Sequence, residues 1–214
     1  MVVPLSILPV MAGPILTIMS VGDSILSGVG SLGMKDAGIN GVGYQLTKLL
    51  DRPRRPVLHV NEAKSGMTST DFIANARNTL ANMVPDVILL QTYSANDEKA
   101  QNKEGIWRAW QRAMLFAAEA TEKGSLVVLV TSPPFCGPGS FRAAGEWEDD
   151  RLAANDLIAG SHLPFIDCDR VVGTGAAPPG YLPFASDDLV HPNDFGSAML
   201  ASDAARVLAG LGVI

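Results

Sequence analysis

The sequence predicts an α/β domain built on a five-stranded parallel sheet, and three observations predict it. Short β-rich runs alternate with helical patterns along the chain, as they do in βαβ units. Two of the runs, Val87-Ile88-Leu89-Leu90 and Leu126-Val127-Val128-Leu129-Val130, are apolar throughout, which suits strands covered on both faces. The residues able to do chemistry directly follow the strands, and open parallel sheets bind ligands beyond the carboxyl ends of their strands.

Taken in order, residues 15–21 are a short apolar run and the first strand. Residues 42–50 place Val42, Leu46, Leu49 and Leu50 on one helical face. Residues 57–60 are β-rich. Over residues 70–83, Phe72, Ile73, Ala76, Leu80 and Met83 recur at three and four, a helical period. Residues 87–90 form the third strand after the turn signal Pro85-Asp86. Residues 104–122 hold the longest helical pattern, with Trp107, Trp110, Met114, Leu115 and Ala118. Residues 126–130 are the fourth strand, 146–158 a helix, and Phe165-Ile166 the core of a short fifth strand. Residues 192–211 are the final helix, with Pro192 expected in its first turn, where a missing N–H costs nothing. A long Gly/Pro-rich loop, 171–187, precedes it, and such loops are often functional. No repeat or domain boundary is evident, so residues 1–214 are read as a single domain behind an apolar lead-in segment, 1–14.

Composition narrows the function classes. At 47% hydrophobic and 18% charged, the chain is too apolar for disorder. A net charge of −6 and the lack of any Lys/Arg block argue against nucleic acid, anionic membranes and polyanionic substrates. Arg52, Arg54 and Arg55 stand around Pro53 and Pro56 and read as a solvated turn. Cys136 and Cys168 each follow a predicted strand, which leaves a bridge open, but two cysteines make no disulfide scaffold. With no Cys-x-x-Cys or His-x-x-x-His spacing, no metal is expected. Residues 1–21 lack the basic start of a signal peptide, and Pro4, Pro9 and Pro14 count against a spanning helix. The expected setting is the cytoplasm or a larger exported or assembled protein; oligomeric state is left open.

Asp188-Leu189-Val190-His191 is the most informative stretch. A carboxylate three residues before an imidazole can meet it across one tight turn. A local ion pair is the competing reading. Ser24, in Gly22-Asp23-Ser24 after the first strand, changes the balance. A serine hydroxyl is a weak nucleophile that needs a base within hydrogen-bond reach, and the base needs an orienting group. Of the three histidines, His59 lies inside a strand and His162 lies before the fifth strand, at the wrong end of the sheet. His191 alone is placed as a base, with Asp188 as its partner; the neighbouring Asp187 is the alternative acid.

Acyl transfer also needs donors aimed at the developing oxyanion. Ser24 N–H, Gly66 N–H and the Asn96 side-chain amide are the candidates, although Gly66 alone reads as a turn residue and Asn96 alone as a helix cap.

Gly22-Asp23-Ser24-Ile25, Gly66, Asn96-Asp97 and Asp188-Leu189-Val190-His191 together resemble the four blocks of the SGNH, or GDSL-type, hydrolases, in the right order over most of the chain. The resemblance implies a three-layer α/β/α sandwich of flavodoxin-like type. It implies Ser24 as nucleophile, His191 as base and Asp188 as its partner, with Ser24, Gly66 and Asn96 as the oxyanion hole and no cofactor. Ile25 replaces the usual Leu, and Ser94-Ala95-Asn96-Asp97 stands where Gly-x-Asn-Asp is usual.

The expected activity is a serine esterase on short-acyl, acetyl-type esters of a small molecule or carbohydrate. Phe135, Phe141, Tyr181, Phe184 and the nearby Trp147 could stack on a sugar or simply anchor their loops. A lipase- or thioesterase-type acyl hydrolase of the same family is the first alternative, and a non-catalytic binding domain another. Gly28-Val29-Gly30-Ser31-Leu32-Gly33, with Glu62 as a ribose ligand, fits a dinucleotide fingerprint in spacing. It stands too far past the first strand, and a substrate-side loop over 27–40 is the better reading. Gly-x-Ser-x-Gly is absent, so no α/β-hydrolase elbow is expected.

Overall fold

The computed structural model describes residues 15–29, 40–52, 55–99, 105–134, 144–175 and 180–214. Along the chain these form β1 (Leu16–Val21), α1 (Ser24–Ser27), α2 (Val42–Leu50), β2 (Val57–Asn61), α3 (Ser69–Asn82), β3 (Val87–Gln91) and α4 (Ala95–Lys99). They continue with α5 (Ile106–Glu122), β4 (Leu126–Val130), α6 (Ala144–Ala159), β5 (Phe165–Ile166), α7 (Cys168–Val172) and α8 (Asp194–Gly210).

The strands make a five-stranded sheet in the order β2-β1-β3-β4-β5, parallel at every pairing. Alternation along the strands decides the layers. Leu16 and Ile18 of β1, Val87 and Leu89 of β3, and Val128 and Val130 of β4 pack with Val42 and Leu46 of α2 and Leu200, Ala204 and Leu208 of α8. Met19, Val21, Ile88, Leu90, Val127 and Leu129 face the other way, onto Phe72, Ile73 and Leu80 of α3, Phe116 of α5 and Ile158 of α6. Three layers result, with two apolar interiors, as the uninterrupted apolar strands anticipate.

Local chemistry sets the helix ends. Thr68 and Asp71 form a reciprocal capping box at the start of α3, Asp71 N donating to Thr68 Oγ1 and Thr68 N to Asp71 Oδ2. Asn193 caps α8, its Oδ1 accepting from Phe195 N and Gly196 N. Helix α8 therefore begins after Asn193, and Pro192 stands just outside the cap instead of in the first turn. Where β1, β2 and α2 meet, Ser20 Oγ and His59 Nε2 are 2.9 Å apart. A Cβ on Gly43 would lie 2.2 Å from both atoms, so only glycine lets α2 approach. Burial lowers His59 to about 4, which keeps the ring neutral near pH 7.

Three elements escape the periodic reading of the sequence. Helices α1, α4 and α7 follow directly on β1, β3 and β5 and are too short to show a period. Helix α7 also takes the start of the expected 171–187 loop. The lead-in 1–14, most of the 27–40 loop, Cys136, Phe135 and Phe141 lie outside the described residues, as does the Trp147 side chain. Cys168 is a free thiol with no exposed surface, and burial pushes it far above its usual range.

Candidate active site

The site lies at the carboxyl edge of the sheet, where β1, β3 and β4 end. As β1 stops, Gln91 Oε1 accepts from Asp23 N at 3.2 Å, and Asp23 Oδ1 accepts from Ile25 N at 2.9 Å. These bonds hold Ser24 as the first residue of α1. Its Oγ lies 3.0 Å from His191 Nε2, although the two residues are 167 apart in sequence. His191 Nδ1 lies 2.6 Å from Asp188 Oδ2. A carboxylate can only accept, so Nδ1 carries the proton and Nε2 is left to accept from the Ser24 hydroxyl.

The turn that makes this possible is built by Asp188 itself. Its Oδ1 accepts from Val190 N at 2.8 Å, from His191 N at 2.7 Å and from Ser186 Oγ at 3.3 Å. Leu189 is driven into the left-handed region, at φ 59°, unusual for a branched side chain. Tyr181, buried, donates its hydroxyl to Val190 O at 2.9 Å and braces the same turn. Partial burial works against ionisation of Asp188, but the hydrogen bonds from the His191 ring and from the His191 and Val190 backbone outweigh it. Its carboxyl is held below the usual range. Asp187 is occupied otherwise, accepting from Asn193 Nδ2 at 2.9 Å. Asp188, not Asp187, therefore partners the imidazole.

The oxyanion candidates stand differently from one another. Ser24 N and Gly66 N donate no hydrogen bond among the described residues. Gly66 has φ 81°, so a side chain there would strain the backbone even though the space is open. Asn96 Nδ2 donates to Met67 O at 3.1 Å and to Ser94 Oγ at 3.0 Å. Since Met67 adjoins Gly66, the first of these bonds ties the segment after β3 to the loop after β2.

Sequence reasoning missed the polar group beneath these residues. Ser94 Oγ donates to Asp23 Oδ2 at 2.5 Å, joining the loops after β1 and β3. Asp97 accepts from Ser94 N and Ser69 N, each at 2.8 Å, and from Ser69 Oγ at 3.0 Å. Burial raises both carboxyls against the pull of these bonds, Asp97 to about 6. The available signal was a pair of acids inside motif blocks, Asp23 and Asp97, with no chemical task assigned.

Beside Ser24 is a cavity of about 30 Å³, walled by Ile25, Gln91, Ala95, Ser132, Pro133 and Val190. Ser132 is held by Asn155, which accepts from its N–H at 2.9 Å, and by Arg151 Nη1, which donates to its carbonyl at 2.8 Å. Arg151 is fully buried and pairs with Asp169 and Glu148. Of the aromatic residues singled out from sequence, Tyr181 is a buried anchor with no face to offer a ligand. Phe184 is exposed and packs edge-on against Phe195, centroids 5.2 Å apart.

The remaining sequence candidates take other roles. Gly28 ends α1 at φ 88°, and Glu62 accepts from Thr79 Oγ1 at 2.6 Å. Residues 30–33 of the glycine pattern lie outside the described residues. Gly28 thus closes a helix, whereas the fingerprint needs glycines that open one. Among the described residues no cluster of His, Cys, Asp and Glu is arranged to hold a metal, and no helix is long and apolar enough to cross a membrane.

Serine, imidazole and carboxylate in one hydrogen-bonded line, beside unpaired N–H donors, is an arrangement suited to acyl transfer. The sequence model of the GDSL-like Lipase/Acylhydrolase family matches residues 20–199. No curated protein matches the sequence. Among solved structures, a GDSL-like lipase of Bacteroides thetaiotaomicron is 16% identical with a TM-score of 0.69, over 91% of this chain and 88% of its own. A lipolytic protein of the G-D-S-L family from Veillonella parvula is 18% identical, TM-score 0.63, covering 91% and 98%. The psychrotrophic esterase EstA of a Pseudoalteromonas species is 14% identical, TM-score 0.63, covering 91% and 97%. At these identities the structures speak for the fold, while the match over residues 20–199 speaks for descent. The chain belongs to the GDSL-like lipase/acylhydrolase family and is a carboxylic ester hydrolase.

Proposed function

We propose that this hydrolase is a serine esterase acting on short-acyl esters, with Ser24 as nucleophile, His191 as general base and acid, and Asp188 as the group that orients and charges the imidazole. One observation carries the reading: the unbroken line from Ser24 Oγ to His191 Nε2 at 3.0 Å and from His191 Nδ1 to Asp188 Oδ2 at 2.6 Å. His191 takes the Ser24 proton as Oγ attacks the ester carbonyl. The carbonyl π pair moves onto oxygen, and Ser24 N–H, Gly66 N–H and the Asn96 amide hold the charge. As the tetrahedral centre collapses, the C–O bond to the alcohol breaks and His191 returns the proton to the leaving oxygen. Water then attacks the acyl-serine with His191 as base, releasing the acid and restoring Ser24.

The acyl reading rests on the cavity. The cavity is small and partly open, and its walls, Ile25, Ala95, Pro133 and Val190, support an acetyl-sized group over a fatty chain. The alcohol side is read as a carbohydrate, on the exposed Phe184 ring that precedes Asp188 in the same loop.

Turnover of p-nitrophenyl acetate by the wild type and its loss in a folded Ser24→Ala variant is the expected result. Equal rates would remove Ser24 from the mechanism. The Pseudoalteromonas esterase was captured inhibited by monoethylphosphonate, which suggests a direct probe. A p-nitrophenyl phosphonate should add its phosphonyl mass to wild type and not to Ser24→Ala. A series of p-nitrophenyl esters should fall steeply in kcat/KM beyond acetyl and propionyl. A rise toward long chains would favour a lipase or thioesterase. An acetylated oligosaccharide run beside the series tests the carbohydrate reading, which fails if no acetate is released.

A further inference from the structure

We propose that Ser94 is a positioning residue for the oxyanion hole: its hydroxyl, anchored on Asp23, sets the orientation of the Asn96 amide. The inference rests on the role proposed above for Asn96 and concerns a position where this chain departs from the usual glycine of the third block.

The geometry fills every hydrogen-bonding site of one hydroxyl. Ser94 is fully buried. Its Oγ donates to Asp23 Oδ2 at 2.5 Å; Met67 O lies farther off, at 3.1 Å, and the hydroxyl has a single proton to give. With that proton directed to Asp23, the oxygen lone pairs turn toward Asn96. They accept from Asn96 N at 3.0 Å and from Asn96 Nδ2 at 3.0 Å. Asn96 is thus gripped at backbone and side chain by one atom. That atom is fixed in turn by the aspartate that caps Ser24's own helix through Ile25 N. The nucleophile and the amide donor share one polar anchor.

Glycine at this position offers no such atom. It would leave the Asn96 side chain held by Met67 O alone and Asp23 Oδ2 without its hydroxyl partner. In catalysis the charged oxyanion competes for the Nδ2 hydrogen that rests on the neutral Ser94 oxygen, and a charged acceptor wins it. The bond from Asn96 N to Ser94 Oγ and the bond from Nδ2 to Met67 O then keep the amide in place.

The test is a double-mutant cycle on p-nitrophenyl acetate hydrolysis, with melting curves to establish folding. Ser94→Ala should lower kcat by roughly ten-fold with KM unchanged, less than removal of a whole oxyanion donor. Ser94→Thr, which keeps the hydroxyl, should recover most of the rate. In an Asn96→Ala background, Ser94→Ala should cost nothing further, because the group it orients is gone. Ser94→Gly serves the same cycle if the alanine variant does not fold. Two outcomes overturn the proposal alone: an unchanged kcat for Ser94→Ala, or the same fold-loss in both backgrounds. An unchanged kcat for Asn96→Ala overturns the oxyanion role of Asn96 itself, and Ser94's role with it.

Discussion

Asp188 holds His191 at two points: Oδ2 meets the ring Nδ1 at 2.6 Å, and Oδ1 accepts the His191 backbone N–H at 2.7 Å. One carboxylate therefore builds the turn and orients the ring it serves. The two tasks are separable by chemistry, because only the first can be done by a neutral amide oxygen.

Asp188→Asn should leave the protein folded and lower kcat by about 10⁴, since an amide nitrogen facing Nδ1 removes the tautomer that lets Nε2 accept from Ser24. Asp187→Asn, whose wild-type carboxylate meets only Asn193 among the described residues, should stay within about three-fold of wild type, an effect worth less than 1 kcal/mol in barrier. Comparable losses in the two variants, measured as kcat on p-nitrophenyl acetate, would return the acid to Asp187.

Acid sensitivity should trace in part to His59. Its folded value of about 4 lies below its unfolded value of 6.5, so the native state resists the proton. Its contribution is present in full above about pH 6.5 and is lost as pH falls through about 4, amounting to roughly 3 kcal/mol. His59→Gln cannot charge, so its urea midpoint should fall less between pH 6.5 and 4 than that of wild type. Parallel curves would dismiss the assignment.

Asp97 runs the opposite way. Raised by burial to about 6 from 3.8, it favours the native state most below about pH 3.8, and that advantage is lost as pH rises through 6. Asp97→Asn should therefore gain stability relative to wild type as the pH is taken from 4 to 7. Denaturant titrations at the two ends give the sign, and a relative loss would mean that the carboxylate is better satisfied than its burial implies.

Arg151→Ala should destabilise the fold by about 3 kcal/mol, the lower end of the range for breaking a buried ion pair, because Asp169 and Glu148 keep some solvent exposure. The loss should carry over to KM for short esters, since Arg151 holds the Ser132 carbonyl at the cavity wall. Stability from urea unfolding at pH 7 and KM from initial rates check both; a change under 1 kcal/mol would show the pair to be dispensable.

Much of the architecture was legible because its causes are local. The apolar runs at β3 and β4 announce strands covered on both faces, and the three-and-four spacing of Phe72, Ile73, Ala76 and Leu80 announces the buried face of α3. What was lost is also local, but short. Helices α1 and α4 have four and five residues, less than the repeat needed to reveal a period, yet they carry Ser24 and Asn96. Pro192 was placed inside α8 because proline suits a first turn, whereas Asn193, with a side-chain acceptor, makes the cap.

By itself the sequence determined the five parallel strands and the Asp188–His191 pair, because a three-residue separation lets one turn bring the two side chains together. It also named Ser24, Gly66 and Asn96 as residues to bring to that pair. Only the tertiary structure decided the order β2-β1-β3-β4-β5, which sets the loops after β1 and β3 side by side. Asp23 thereby meets Ser94 across 71 residues, and the folded chain brings His191 to Ser24 across 167. Strand order is chosen by which buried faces pack best over the whole sheet, a property of the folded chain that no single stretch of sequence displays.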